Sequence, residues 1–190
     1  TGMVAYRFKG GIGTASRVLE AEEGGYTIGV LVQANFGLRQ RLRIAGVPVG
    51  RAIPDLMPEQ GKTEGREGSI IVVIATDAPV LPFQLNRIAK RAALGLGRNG
   101  SIAANSSGDI FLAFTTADTK AIAPLENDDL SPIFLASVRA TEEAIVNALV
   151  AARTMTGVNG NRVHALPHHR LREVLGRYNR LVTVGSENPE

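Results

Sequence analysis

Glu67-Gly68-Ser69-Ile70-Ile71-Val72-Val73-Ile74 is the junction from which the rest of the chain reads. To its left, Glu59-Gln60-Gly61-Lys62-Thr63-Glu64-Gly65-Arg66-Glu67-Gly68 has the polar, glycine-dotted composition of an exposed loop. To its right lies an unbroken apolar run rich in β-branched residues, which reads as a buried strand. Ser69 therefore stands where a loop enters the core, with a glycine just before it. Two readings follow. Gly-Ser can be ordinary loop punctuation, or Ser69 can be a nucleophile that cuts its own Gly68-Ser69 bond and becomes the first residue of a new subunit. The junction alone favours the first, so the decision falls to the rest of the chain.

A chain of 190 residues can bury a real core and fits a single domain or two small ones; a single domain over 1–190 is expected. The 21 glycines exceed average use and suit a site built from main-chain groups. There is no cysteine, which excludes a disulfide framework, a thiolate zinc site and a cysteine nucleophile. The net charge of +3 invites a nucleic-acid reading. The arginines are dispersed, however, and with 5% aromatic residues a base-stacking platform has little material. No apolar stretch reaches membrane-spanning length, and the opening Thr1-Gly2-Met3 shows neither the basic segment nor the apolar run of a signal peptide, so a cytoplasmic protein is expected.

Taken in order, Met3 to Phe8 alternates like a strand. Lys9 to Arg17 carries Gly10, Gly11 and Gly13 beside small hydroxyls: either a backbone anion loop or a tight connection between strands. Glu22-Glu23-Gly24-Gly25 marks a turn into a strong strand from Tyr26 to Gly37, with Gln33 and Asn35 on one face. Leu42 to Val49 suggests another short strand. The strand from Ser69 to Thr76 ends at Asp77-Ala78-Pro79. Leu81 to Leu96 has helical spacing with Pro82 in its first turn, and Arg87, Lys90 and Arg91 on its wet side. Gly95-Leu96-Gly97-Arg98-Asn99-Gly100 spells GxGxxG but closes a helix instead of opening one, so a dinucleotide site is rejected. Ser101 to Ala104 and Ile110 to Thr116 read as a hairpin around Asn105-Ser106-Ser107-Gly108-Asp109. Leu130 to Thr154 and Leu166 to Asn179 read as helices. The histidines lack zinc spacing, and surface or capping roles are expected of them. Asn35 can be a satisfied structural amide or an oxyanion donor. Ser107 and Asp109, two residues apart, can make local turn bonds or orient a neighbouring nucleophile. Strands and helices in this order give a mixed α/β chain of antiparallel sheets covered by helices.

Several of these stretches together resemble the DmpA/BapA family of L-aminopeptidase/D-esterases and β-peptidyl aminopeptidases. They are Phe8-Lys9-Gly10-Gly11-Ile12-Gly13-Thr14-Ala15-Ser16-Arg17, Gln33-Ala34-Asn35-Phe36-Gly37, Gly68 to Pro79, Arg98-Asn99-Gly100-Ser101, Ser107-Gly108-Asp109, Ala140 to Ile145 and His164-Ala165-Leu166-Pro167. The resemblance implies an αββα sandwich and a precursor that cuts itself at Gly68-Ser69, giving an α chain ending in 1–68 and a β chain of 69–190. It makes Ser69 the nucleophile, Asn35 the oxyanion-stabilising asparagine, and Ser107 and Asp109 the Ser-x-acid pair beside it. It implies short peptide, amide or ester substrates, no metal or organic cofactor, no nucleic-acid or membrane partner, and a tetramer of αβ units. Family members carry a substantial segment before the Phe-Lys-Gly-Gly stretch, so a shortened chain is expected here.

The chemistry is coherent with that carry-over. No histidine lies near the site motifs of Asn35, Ser69, Ser107 and Asp109 in sequence, whereas cleavage before Ser69 creates a base of its own, an α-amine with a pKa of about 7.7–8.0 when unperturbed. The expected function is a self-processing N-terminal-serine aminopeptidase. The alternatives are an acyltransferase like ornithine acetyltransferase, against which serine at the junction argues, and a non-catalytic basic module.

Overall fold

The computed structural model describes residues 2–59, 68–118 and 123–182. The segment 60–67, most of the loop read before Gly68, lies outside them. Residues Val4–Ala5 (β1) and Phe8–Lys9 (β2) form a small hairpin, and Gly11–Val18 (β3), Thr27–Phe36 (β4), Gly68–Thr76 (β5) and Ile110–Thr115 (β6) form a four-stranded sheet in that order. A short helix, Val49–Ala52 (α1), lies between β4 and β5. Pro82–Arg98 (α2) joins β5 to β6, and Ser131–Val150 (α3) follows the sheet. A second hairpin, Met155–Thr156 (β7) with Arg162–Val163 (β8), and the helix His168–Arg177 (α4) end the described chain.

A two-residue period sets the sheet. Ile28, Val30, Val32, Ala34 and Phe36 of β4, with Ile70, Val72 and Ile74 of β5, point into the core. Helix α3 lies across β3 and β4 on that face, and α2 packs against α3 and β6. Their closeness rests on missing side chains. A Cβ at Gly13 would lie 2.0 Å from the Ala144 carbonyl oxygen, and one at Gly95 would lie 2.7 Å from Thr141 Cβ. Within α3, Ser137 and Thr141 turn their hydroxyls back to the carbonyls of Ile133 and Ser137, which leaves a smooth wall for α2. Arg87 and Arg91 of α2, expected on a solvated face, lie over the Phe134 ring of α3 at 5.2 and 3.8 Å. Of the histidines, His168 caps α3 through the Val150 carbonyl, 2.9 Å away.

The mixed α/β class stands, with corrections in detail. The pairs β3–β4 and β4–β5 are antiparallel, but β5–β6 is parallel. No hairpin forms from Ser101 to Thr116; α2 carries the chain back to the end where β5 began, so β6 joins β5 instead. Gly11 to Val18 is strand, not an anion loop. Leu42 to Val49 holds only an isolated bridge between Ile44 and Val47. Besides the two hairpins, the described residues supply one four-stranded sheet with α2 and α3 on one face, one sheet layer and one helix layer of the expected αββα sandwich. On the other face Ile12, Leu31, Ile71, Ile110, Leu112 and Phe114 are exposed. Among the described residues no helix is long and apolar enough to cross a membrane.

The contact of β3 with α3 gives a direct test. Gly13→Ala should lower stability by about 1–3 kcal/mol, because helix backbone must move to admit the methyl group. In a thermal melt that amounts to a fall of roughly 2–4 °C per kcal/mol. An unchanged melting temperature would contradict the packing described.

Candidate active site

The register of β4 against β5 pairs Asn35 with Ser69 and Phe36 with Gly68. Both Asn35 and Ser69 fall on the open face, opposite to the core residues beside them. Directly opposed residues have Cβ atoms about 4.5–5.5 Å apart, so the two side chains are neighbours. Gly68 makes this pairing possible. Its φ is +71°, and a Cβ there would lie 2.1 Å from the Asn35 carbonyl oxygen.

Parallel pairing brings the second half of the site to the same end. β6 starts opposite Ile71, so the Ile70 N–H has no ladder partner on that side. The Asp109 carboxylate takes it, with Oδ1 3.0 Å away. The same oxygen accepts from Ser107 Oγ at 2.5 Å. Ser107 Oγ also lies 3.3 Å from the Gly68 carbonyl oxygen. Between them, the Gly108 N–H donates to Ser69 Oγ at 2.9 Å. Asp109 Oδ2 is buried without a hydrogen-bond partner among the described residues. A buried carboxylate oxygen with free lone pairs is a ready acceptor for a cation arriving at the junction.

Asn35 is oriented by the hairpin in front of it. The Val4 N–H donates to Asn35 Oδ1 at 2.9 Å. An N–H selects the oxygen end of the amide, so Nδ2 remains as a donor on the open face. That hairpin is held by Arg39, a buried side chain whose Nε donates to the Tyr6 carbonyl at 2.9 Å and whose Nη2 donates to that of Arg7 at 2.8 Å. Nη1 donates to the carbonyls of Ile53 (2.9 Å) and Asp55, and Nη2 also to that of Leu56 (3.2 Å). The guanidinium carbon stacks 3.3 Å over the Phe8 ring. Burial lowers the Arg39 pKa to about 10, with Asp55 opposing the shift and Arg170 adding to it.

All the expected site residues, Asn35, Gly68, Ser69, Ser107 and Asp109, thus converge. The Gly108 and Val4 N–H groups and Arg39 were not read from the sequence. Backbone donors leave no side-chain signature, though Gly108 lies inside the Ser107-Gly108-Asp109 motif. Among the described residues no group of three or more His, Cys, Asp or Glu side chains is placed to hold a metal ion.

With that geometry in place, the chain superposes on solved structures, one of them described as a variant of the Ntn hydrolase fold. The L-aminopeptidase D-Ala-esterase/amidase of Ochrobactrum anthropi, described as a prototype serine aminopeptidase with a variant of that fold, superposes with a TM-score of 0.83 at 48% identity, covering 95% of this chain and 52% of its own. A Burkholderia sp. beta-aminopeptidase gives a TM-score of 0.82 at 46% identity, covering 93% of this chain and 51% of its own. The chain belongs to peptidase family S58, whose family model matches residues 1–163. It is 50% identical over 203 residues to the beta-peptidyl aminopeptidase BapA of Sphingosinicella microcystinivorans, covering 96% of this chain and 51% of that protein. The chain therefore spans about half the length of the curated relatives it matches. These relatives favour the aminopeptidase expectation over the acyltransferase and over the binding module.

Asp109 can be tested apart from any activity. Asp109→Asn keeps an acceptor for Ile70 and Ser107, whereas Asp109→Ala strands the Ile70 N–H and leaves Ser107 only the Gly68 carbonyl, 3.3 Å away. Chemical denaturation should find the alanine variant less stable than the asparagine variant by about 1–3 kcal/mol. Equal stabilities would mean that the carboxylate does not hold the start of β5.

Proposed function

We propose that the chain carries the nucleophile and oxyanion donor of a self-processing N-terminal-serine aminopeptidase acting on short peptides, amides or esters. The observation that carries this reading is the cross-strand pairing of Asn35 with Ser69, with Ser107 reaching the Gly68 carbonyl beside them. The family membership and the aminopeptidase relatives support it.

In the processing step, Ser69 Oγ attacks the Gly68 carbonyl carbon. The C–O bond forms, the C–N bond of the junction breaks, and the released nitrogen takes up the hydroxyl proton. As the carbonyl oxygen gains negative charge, the single Ser107 hydroxyl proton turns from Asp109 Oδ1 to that oxygen, 3.3 Å away. Water then cleaves the ester, leaving a carboxylate on Gly68 and a free α-amine on Ser69. The products are chains ending at Gly68 and beginning at Ser69.

In the peptidase step the new α-amine accepts the Ser69 hydroxyl proton, directly or through Ser107. Asp109, with one oxygen already on Ser107 and Ile70, favours the resulting ammonium through its other oxygen. Asn35 Nδ2 holds the oxyanion formed when Ser69 Oγ adds to the substrate carbonyl. The ammonium returns its proton to the leaving amine, and water releases the acyl group from Ser69. The Gly108 N–H holds Ser69 Oγ in position at the start of the strand. A tetramer of αβ units is the assembly included in this proposal, and light scattering of the purified protein reads it.

Two variants test the chemistry. Ser69→Ala should give a single uncut mass by intact mass spectrometry and no release of N-terminal residues from peptide amides. Retained release by that variant would overturn the assignment. Asn35→Asp keeps the acceptor for Val4 but replaces the Nδ2 donor with a carboxylate oxygen. It should lower kcat by about 10²–10³ with an unchanged melting temperature. A loss confined to KM would assign Asn35 to substrate binding instead.

A further inference from the structure

Lys9 is 7% exposed, in the hairpin that orients Asn35. Its ammonium donates to the Gly10 carbonyl at 2.6 Å and the Met3 carbonyl at 3.1 Å. No carboxylate pairs with it among the described residues. Two carbonyls engage two of its three N–H bonds and leave one uncommitted. Buried charges are ordinarily paired, so a buried ammonium held only by backbone dipoles favours an anion within reach. Burial alone lowers its pKa from 10.5.

Lys9 lies in the wall of a cavity of about 270 Å³ between two hairpins. Val4 and Lys9 line one side, and Met155, Val158, Asn161 and Val163 line the other. The Lys9 N–H donates to the His164 carbonyl at 2.7 Å, which ties the two walls together. The cavity thus joins one cation, one amide residue and four apolar side chains. That combination matches a molecule with an anionic head and a short aliphatic body. A phosphate or sulfate would leave the apolar wall unused.

We propose that this cavity binds a small aliphatic carboxylate, such as a simple acid or a free amino acid, with its carboxylate on Lys9 Nζ and its carbon chain against Met155, Val158 and Val163. The site is separate from Ser69, and the proposal stands whether or not the aminopeptidase reading does. Val4 belongs to both places: it pairs with Lys9 and gives its N–H to Asn35. An occupant would therefore stiffen the strand that orients the Asn35 amide.

The test is a titration of the isotopically labelled Ser69→Ala protein, followed by amide NMR at constant ionic strength, with propionate, L-alanine and propionamide. Propionate or L-alanine should give saturable shifts centred on Val4, Lys9, Gly157 and Asn161. Binding of either acid upholds the proposal, and which of them binds separates simple acids from amino acids. Propionamide, with the same body and no charge, should give none. Lys9→Gln should weaken the binding by about tenfold or more. If that variant does not fold, the comparison of propionate with propionamide decides the matter by itself. Equal shifts from propionamide, shifts confined to other regions, or no saturable shift would each overturn the proposal.

Discussion

With Asn35 opposite Ser69, a slip of one residue between β4 and β5 would turn every side chain of one strand to the other face. Ser69 would enter the core, and Ile70 would meet water. The apolar alternation of Ile28 to Phe36 and of Ile70 to Ile74 forbids that slip, because each buried residue would lose its contact with α3 or its neighbours. Fully burying one such side chain contributes about 1.5–3 kcal/mol. The core therefore fixes the site's geometry from behind. Gly68 completes the constraint, since only a residue without Cβ lets the first pair of the ladder close beside the Asn35 carbonyl.

The hairpin in front of Asn35 is held by different physics. Tyr6 and Arg7 both have left-handed backbones, at φ of 50° and 62°, and such non-glycine residues persist only when their surroundings hold them. Arg39 supplies that hold through the Tyr6 and Arg7 carbonyls, and it reaches the left-handed Leu56 with the same guanidinium. A planar fork with five donors can serve five carbonyls at once, while a lysine ammonium has three. Stacking on Phe8 removes the group from water without stranding a donor. Even with its pKa lowered to about 10, Arg39 is charged near neutral pH. The order runs from this buried cation, through the hairpin and the Val4 N–H, to the amide of Asn35.

What could be read in advance follows from where the information lies. The strands Thr27–Phe36 and Gly68–Thr76 and the helices Pro82–Arg98 and Ser131–Val150 carry their own periods, and their residues announced them. Asn35, Ser69, Ser107 and Asp109 could each be ordinary local structure by residue type alone, and it was the family resemblance carried by the order and spacing of their motifs that marked them as a site. The partner of β6 was not legible. Turn-forming residues from Asn105 to Asp109 suit a hairpin and a crossover equally well, and only the packing of α2 decides between them. Arg39 was equally hidden, because nothing local separates an arginine that binds five carbonyls from one that points to water.

The parallel pairing of β5 with β6 matters more to the chemistry than to the fold. In an antiparallel pair the start of one strand faces the end of the other, and Asp109 would lie beside Thr76, far from Ser69. In the parallel pair both strands begin at the same edge, so the residues just before β6 flank the first residues of β5. Asp109 then replaces the missing ladder acceptor for Ile70, Ser107 reaches the Gly68 carbonyl, and the Gly108 N–H meets Ser69 Oγ. One carboxylate oxygen is engaged in holding the strand start, which leaves the other for charge that develops at the junction. A structural bond thus fixes the orientation of an electrostatic one, and the position of that second oxygen follows from strand direction alone.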